Sequence, residues 1–482
     1  MEVSKKVKKV IGLADKVNRR VDAYNAKHEP LVPFNKADCI VSNSFIPFGL
    51  DEDYPIGLEA GCDGHGMVIG ASGSGKTTCF VFPTLLWWEE ALVCMDVKGE
   101  VSERYRFLKS YNYVSRPEIV FDPENEHSPR YDPFQLIGKY PMDKNVIISS
   151  IVKTLIPDLP EYSNNSFWTL SAQTFLQACL IFLYNEKELS FIEAIRVIQT
   201  TTIHELIKEI NSTDDEAKTL ISSSVETNPN LISSISADIH NALQVFSDPY
   251  ISRAFDRNTA PDGNILTWDM VQTHNIFLKL PPEKIKHWKS AFNIMYLQLI
   301  FTLNKRDEKY SKRGEKNVQT LILMDEFASF GKIPFFEDDI ATLRSKSVNI
   351  FIVLQSISQL DGIYGVNARK VIMDNCSHAL IFGCNDTETR TYFSEMIGTC
   401  NRLKGSVSKP IFKGCDNKSC TLNFSLVKES VIEPHELGAL GDNVLVVSEG
   451  KSFRLKKIKW SKKLQRKFIE YSEFIDMLRK SK

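Results

Sequence analysis

The stretch Gly70-Ala71-Ser72-Gly73-Ser74-Gly75-Lys76-Thr77 constrains this chain more than any other. It fits G-x-x-x-x-G-K-[ST], and it stands after a short apolar run (residues 66–70) and before a helical one (77–88), where that pattern has physical meaning. Glycines at 70, 73 and 75 let backbone N–H groups converge on phosphate oxygens, and the start of the following helix adds its partial positive charge. In that frame Lys76 reaches the β- and γ-phosphates and the Thr77 hydroxyl ligates Mg²⁺, with Ser72, Ser74 and Thr78 completing the cradle. The pattern predicts binding of a nucleoside triphosphate, ATP, with Mg²⁺.

The surrounding periodicity is that of an α/β protein. Apolar runs at 66–70, 91–97, 118–121, 275–280, 320–324, 348–354, 378–382 and 443–447 read as strands separated by helical patterns, which predicts a mostly parallel, doubly wound sheet. Between these two groups of strands the pattern is helical, with Asn-, Ser- and Thr-rich joints such as 163–166 and 200–202. A chain of 482 residues has room for two to four domains at roughly 150 residues each. The expected division is a basic N-terminal segment (1–38), a nucleotide-binding domain in two parts (39–140 and 256–460), an all-α insertion (141–255), and a basic tail (461–482).

Two acids end the apolar run Leu321-Ile322-Leu323-Met324, namely Asp325 and Glu326. Beside a phosphate loop this predicts that Asp325 holds the Mg²⁺ shell and that Glu326 activates the attacking water, which favours hydrolysis over simple nucleotide binding. Alone, an apolar run before Asp-Glu is as often structural as functional. Gln355 ends the next strand and points into the crevice where ligands of parallel sheets bind, as a sensor of the γ-phosphate; the bland reading is a polar strand cap. Arg344 precedes that strand, either as a surface arginine or as a finger toward a neighbouring subunit's γ-phosphate. Asp96-Val97-Lys98-Gly99-Glu100 follows the second strand, as a charged turn or as part of nucleotide handling or subunit contact.

Net charge is −1, so any nucleic-acid surface must be local. The ten cysteines are scattered, with no apolar leader ahead of them, and they read as small buried hydrophobes of a reduced, cytoplasmic setting. Cys415 and Cys420 are a weak metal signal without a second pair. No apolar run reaches the roughly 20 residues of a membrane helix, and residues 175–184 read as a core segment. Residues 1–27 place Val3, Val7, Val10, Val17 and Val21 at helical spacing among eight lysines and arginines. The helix either packs on its own domain or meets an anionic membrane surface.

Taken together the motifs resemble the TraG/TrwB family of type IV coupling proteins. The resemblance rests on the loop at 70–77, the Asp96–Glu100 box, Asp325-Glu326, Arg344 with Gln355, the helix carrying Trp168 and Ala172, and the closing pattern Ile432-Glu433-Pro434-His435-Glu436-Leu437. It implies a RecA-like P-loop NTPase domain interrupted by an all-α domain, and a hexameric ring around single- or double-stranded DNA. It also implies hydrolysis by Lys76, Thr77, Asp325 and Glu326, and finger and sensor roles for Arg344 and Gln355. Implied partners are a relaxase bound to DNA and the secretion channel, at the cytoplasmic face of the plasma membrane. The chain departs from the pattern in showing no N-terminal membrane helices. A docking adaptor that uses ATP without moving DNA, or an FtsK/HerA-like segregation translocase, are the other readings; the helical insertion and the Asp96–Glu100 box argue against the latter.

Overall fold

The computed structural model describes residues 2–27, 31, 44–52, 54–158, 166–213, 216–221, 229–308, 317–408 and 421–459. Thirteen strands are present among them: β1 (Phe45–Asp51), β2 (Tyr54–Glu59), β3 (His65–Ile69), β4 (Ala91–Asp96), β5 (Glu118–Phe121), β6 (Asn275–Lys279), β7 (Thr320–Met324), β8 (Val348–Leu354), β9 (Cys376–Ile381), β10 (Thr399–Ser408), β11 (Thr421–Ser430), β12 (Asn443–Ser448) and β13 (Lys451–Lys456). Eleven of these form one sheet in the order β2-β1-β13-β12-β9-β3-β8-β7-β4-β6-β5, and β10 pairs only with β11.

From β9 to β5 every neighbouring pair is parallel. These strands carry apolar residues on both faces because helices cover both. Every residue of β3, β4, β7 and β8 is buried. One face packs on Phe80, Leu85, Tyr105 and Leu108 from the helices Phe82–Trp87 and Glu100–Ser110 and the turn before them. The other packs on Trp288, Phe292, Met295 and Leu299 of the helix Ile285–Asn304, and continues into the helical segment of the chain.

That segment runs from Gln135 to Ala254, and among its described residues only helices and turns occur. Ser166–Lys187 is its spine, burying Ala172, Phe175, Leu176, Cys179 and Leu180. By length and composition its Phe167–Lys187 stretch is apolar enough to cross a membrane, but 61% of that window is buried inside the fold. It is a core helix, as its flanks of packed helices require.

The fold differs from the sequence-based expectation at one sheet edge. β2, β1, β13 and β12 join the parallel strands through antiparallel pairings, so the sheet is mixed. The helix before β9 spans Ser358–Asn375 with a break at Gly365, where φ is 81°. The β10–β11 hairpin was not foreseen. Its face carrying Leu403, Gly405 and Phe424 receives the N-terminal helix Glu2–Lys27. Val17 is buried there, Asn25 exchanges hydrogen bonds with the Leu403 backbone, and Arg20 lies over the Phe424 ring. The helix therefore does pack on its own chain, through Val17 and Val21, while Lys16 and Arg19 stay exposed. Cys415, Cys420 and the basic tail at 461–482 lie outside the described residues.

Candidate nucleotide-binding site

β3 delivers the chain to the loop between two neighbouring strands. The Gly70 N–H donates to the Leu354 carbonyl at the end of β8, and the Ala71 N–H donates to Gly383 just beyond β9. The turn then needs left-handed backbone at Gly73 (φ 75°) and Gly75 (φ 97°), which a side chain would strain. Nothing stands within 4 Å of where a Gly73 Cβ would sit, so backbone conformation and not space demands that glycine. Lys76 folds back over the loop and donates to the Gly70 and Ala71 carbonyls. Its ammonium is held below the usual lysine range by burial, with Asp325 and Glu326 opposing that shift. Ser74 Oγ is buried with no hydrogen-bond partner, an orphaned polar atom inside the loop. The helix after the loop opens with a wide turn, Thr77–Val81, before tightening into Phe82–Trp87.

The second half of the site comes from β7. Asp325 is buried beside the loop, its carboxyl pushed up to about 6 by burial first, then by Glu326 and Asp96. Glu326 adopts a left-handed conformation (φ 54°, ψ 48°), rare for a residue with a side chain and costing of order 1–3 kcal/mol unless the surroundings enforce it. Its carboxylate is met by Lys98 Nζ at 2.5 Å.

Lys98 is positioned by the turn that follows β4. Asp96 is buried and accepts from the backbone N–H groups of Val101 (3.3 Å) and Ser102 (2.8 Å) and from the Ser102 hydroxyl (2.7 Å). It thereby caps the helix Glu100–Ser110. Gly99 takes φ 75° to make the turn, and a Cβ there would stand 2.7 Å from Lys279 Cε. The box is thus a rigid turn that aims Lys98 at Glu326, and Asp96 is its structural post.

These groups line one cleft of about 350 Å³, with Ser72, Gly73, Gly75, Lys76, Thr77 and Thr78 on one wall and Lys98, Glu100, Asp325 and Glu326 on the other. Gln355 and Gln359 close a third side, the Gln359 side chain accepting from the Gln355 N–H at 2.9 Å. Gln355 is therefore brought to the site. Arg344 is not: it is exposed on the turn Leu343–Lys346 ahead of β8, whereas Leu354, at the far end of that strand, touches the loop. A seven-residue strand puts roughly 20 Å between them. Arg344 instead neighbours His65, which opens β3, and His378, the third residue of β9, at the opposite end of the sheet. Burial above all pushes His65 down to about 4, with the Arg344 charge among the lesser causes.

One contributor has no signal in the motif. Lys457, just past β13, donates to the carbonyls of Ser74 (3.0 Å), Phe382 (2.9 Å) and Gly441 (2.8 Å), bracing the loop from 383 positions away.

Among the described residues no group of three or more His, Cys, Asp or Glu could hold a metal ion by itself. Thr77 and the Asp325 carboxylate suit Mg²⁺, which characteristically takes one or two protein oxygens and completes its octahedron with water and phosphate.

A family model described as type IV secretory system conjugative DNA transfer matches residues 7–481. Among similar proteins, VirD4 of Agrobacterium fabrum (strain C58) is 21% identical over 427 residues, 86% of this chain and 61% of that protein. TraG, a conjugal transfer protein of Rhizobium radiobacter, is 22% identical over 80% of this chain and 60% of its own length. This chain thus spans about three fifths of the curated relatives it matches. The bacterial conjugative coupling protein TrwBdeltaN70, unbound, superposes with a TM-score of 0.66 at 16% identity, over 88% of this chain and 91% of that one. Plasmid coupling protein TrwB in complex with ADP and Mg²⁺ gives 0.65 at 15% identity, over the same shares of the two chains. The fold and the family model agree, and the chain belongs to the type IV secretory system conjugative DNA transfer family.

Proposed function

We propose that this chain is an ATP-hydrolysing coupling protein that links a relaxase–DNA substrate to a type IV secretion channel and drives DNA transfer as a hexameric ring. The observation that supports it most is the convergence of Lys76, Thr77, Asp325, Glu326 and Gln355 on one cleft from three separate strand ends. TrwB has been solved in complex with ADP and Mg²⁺ and with a non-hydrolysable ATP analogue, and the same class of ligand fits this cleft.

In this reading Lys76 exchanges the Gly70 and Ala71 carbonyls for phosphate oxygens, and the loop N–H groups bind the rest of the chain of phosphates. Thr77 and Asp325 would hold Mg²⁺, which when bound would supply charge neutralisation to the phosphates. Asp325 would hold the ion as the carboxylate, the form that burial and the neighbouring Glu326 and Asp96 disfavour in its absence. Glu326 accepts the proton of the attacking water, and Gln355 registers the terminal phosphate. Arg344, at the other end of its own sheet, serves a neighbour's cleft, which makes hydrolysis depend on assembly. Residues 141–255 form an all-α domain set into the nucleotide-binding domain (39–140 and 256–460), suited to substrate recruitment. The exposed Lys16 and Arg19 of the N-terminal helix give peripheral contact with anionic lipid.

Sizing the protein with and without ATP analogue and single-stranded DNA tests this. Assembly to a ring in the presence of both is expected, and binding to DNA should weaken steeply with salt as pore lysines and arginines release counterions. A chain that stays monomeric and ignores DNA at low salt would refute the motor and leave a nucleotide-dependent adaptor.

A further inference from the structure

The cleft holds two lysines, and both are already engaged by the protein. Lys76 rests on the carbonyls of its own loop, and Lys98 rests on Glu326. Three carboxylates of the same cleft act on them: Asp325 and Glu326 on both lysines, and Glu100 on Lys98. Lys98 is not a buried structural cation. Its side chain is 47% exposed, long enough to move, and borders the same space as Lys76 and Thr77. The pairing is also specific. The Asp96-capped turn fixes the Lys98 backbone, and the left-handed conformation of Glu326 aims its carboxylate at that turn.

A water-activating glutamate whose carboxylate is bound by an ammonium is a poor base, because the charge that would take the proton is neutralised. A triphosphate entering the cleft offers Lys98 a stronger anion than one carboxylate. We propose that Lys98 is a resting latch on Glu326 which nucleotide binding releases, the ammonium passing from the carboxylate to the phosphate chain. In the empty subunit the base is held off. In the loaded subunit Lys98 joins Lys76 as a phosphate ligand, and Glu326 is free to face the water. Nucleotide binding and activation of the base are then one event, which limits hydrolysis to correctly loaded clefts. The inference rests on the reading of this cleft as a nucleoside triphosphatase site.

The test measures the dissociation constant of a non-hydrolysable ATP analogue, by calorimetry, with steady-state turnover alongside. Lys98→Met keeps the stem and removes the charge. Losing a charge-assisted phosphate contact, less the pair that no longer needs breaking, weakens analogue binding about ten-fold. The loss appears in KM more than in kcat, and Lys98→Arg restores it. Glu326→Gln removes the resting partner, so the analogue binds about two- to five-fold tighter, the value of a half-exposed ion pair. That gain vanishes in the Lys98→Met background. A glutamate that merely repels phosphate would give an equal or larger gain there, and that result overturns the latch. So does a Lys98→Met protein whose analogue affinity is intact while kcat falls, which would make Lys98 a permanent partner of the base. If the unmodified chain binds no analogue, or Lys76→Ala leaves binding intact, the reading of the cleft fails instead.

Discussion

Lys457→Met isolates the remote brace of the phosphate loop. The substitution preserves the stem that runs beside Phe382, whose ring centroid is 5.5 Å from Nζ, and deletes the ammonium. Three backbone carbonyls then lose their donor: Ser74, Phe382 and Gly441. Hydrogen bonds from a charged donor contribute about 1.5–3 kcal/mol each, but the site is only half-buried and water replaces part of each. A total of about 2–4 kcal/mol follows, seen as a lower urea midpoint. Only the Ser74 contact belongs to the loop, and its share of about 1 kcal/mol corresponds to about five-fold weaker nucleotide binding. The matched control is Lys459→Met, since Lys459 pairs with Asp442 where both side chains are mostly exposed (62% and 77%), and such pairs contribute little. Urea denaturation and calorimetric titration with an ATP analogue read both numbers. If Lys457→Met behaves like Lys459→Met in both assays, the loop does not depend on this brace and the reasoning is wrong.

Other expectations follow from the same geometry. Arg344→Ala should leave analogue binding by the isolated chain within two-fold while cutting turnover of the assembled protein at least about 100-fold, because the residue is remote from its own cleft; weaker binding by the isolated chain would contradict this. Burial, then Asp338 and Glu337, pushes the Asp339 carboxyl from 3.8 up to about 7, and its Oδ2 has no partner. The folded chain thus holds this proton more tightly than the unfolded chain, so stability falls as pH rises from about 4 through 7 and then levels off. Asp339→Asn should therefore gain about 1–3 kcal/mol relative to the parent between pH 5 and pH 8, and equal melting shifts at both pH values would argue against it. Gly405→Val should release the N-terminal helix from the hairpin, since even a Cβ there would stand 2.3 Å from Val17 Cγ1; trypsin should then cut at Lys16 and Arg19 sooner, with nucleotide binding unaffected.

Much of the sheet was legible because its parallel strands are covered on both faces and so read as unbroken apolar runs, as in Leu321-Ile322-Leu323-Met324 and Ile350-Phe351-Ile352-Val353-Leu354. The edge was not. Pro47, Gly49 and Gly57 interrupt β1 and β2, and β13 reads Lys-Ser-Phe-Arg-Leu-Lys, half of it exposed. The hairpin did carry a signal, since Leu422, Phe424 and Leu426 alternate with polar residues at the period of a strand, on the same face as their cross-strand partners Val407, Gly405 and Leu403. At the site, local spacing gave the loop, the acids and the strand-end glutamine. It was silent on contacts set by topology. The Lys98–Glu326 pair joins residues 228 apart, and Lys457 reaches Ser74 only because β13 pairs with β12, which pairs with β9 beside the loop-bearing β3. Arg344 shows the converse: a fixed offset from Gln355 along the chain carries it, by one strand length, to the other end of the sheet.

The central claim is that this cleft turns over nucleotide in service of DNA. Its most direct measurement is phosphate release from ATP by the purified chain, with and without single-stranded DNA, beside Lys76→Ala and Glu326→Gln. Turnover stimulated by DNA, absent in both variants, with analogue binding lost in Lys76→Ala and retained in Glu326→Gln, is the expected result. Turnover indifferent to DNA, or surviving in Glu326→Gln, would contradict it.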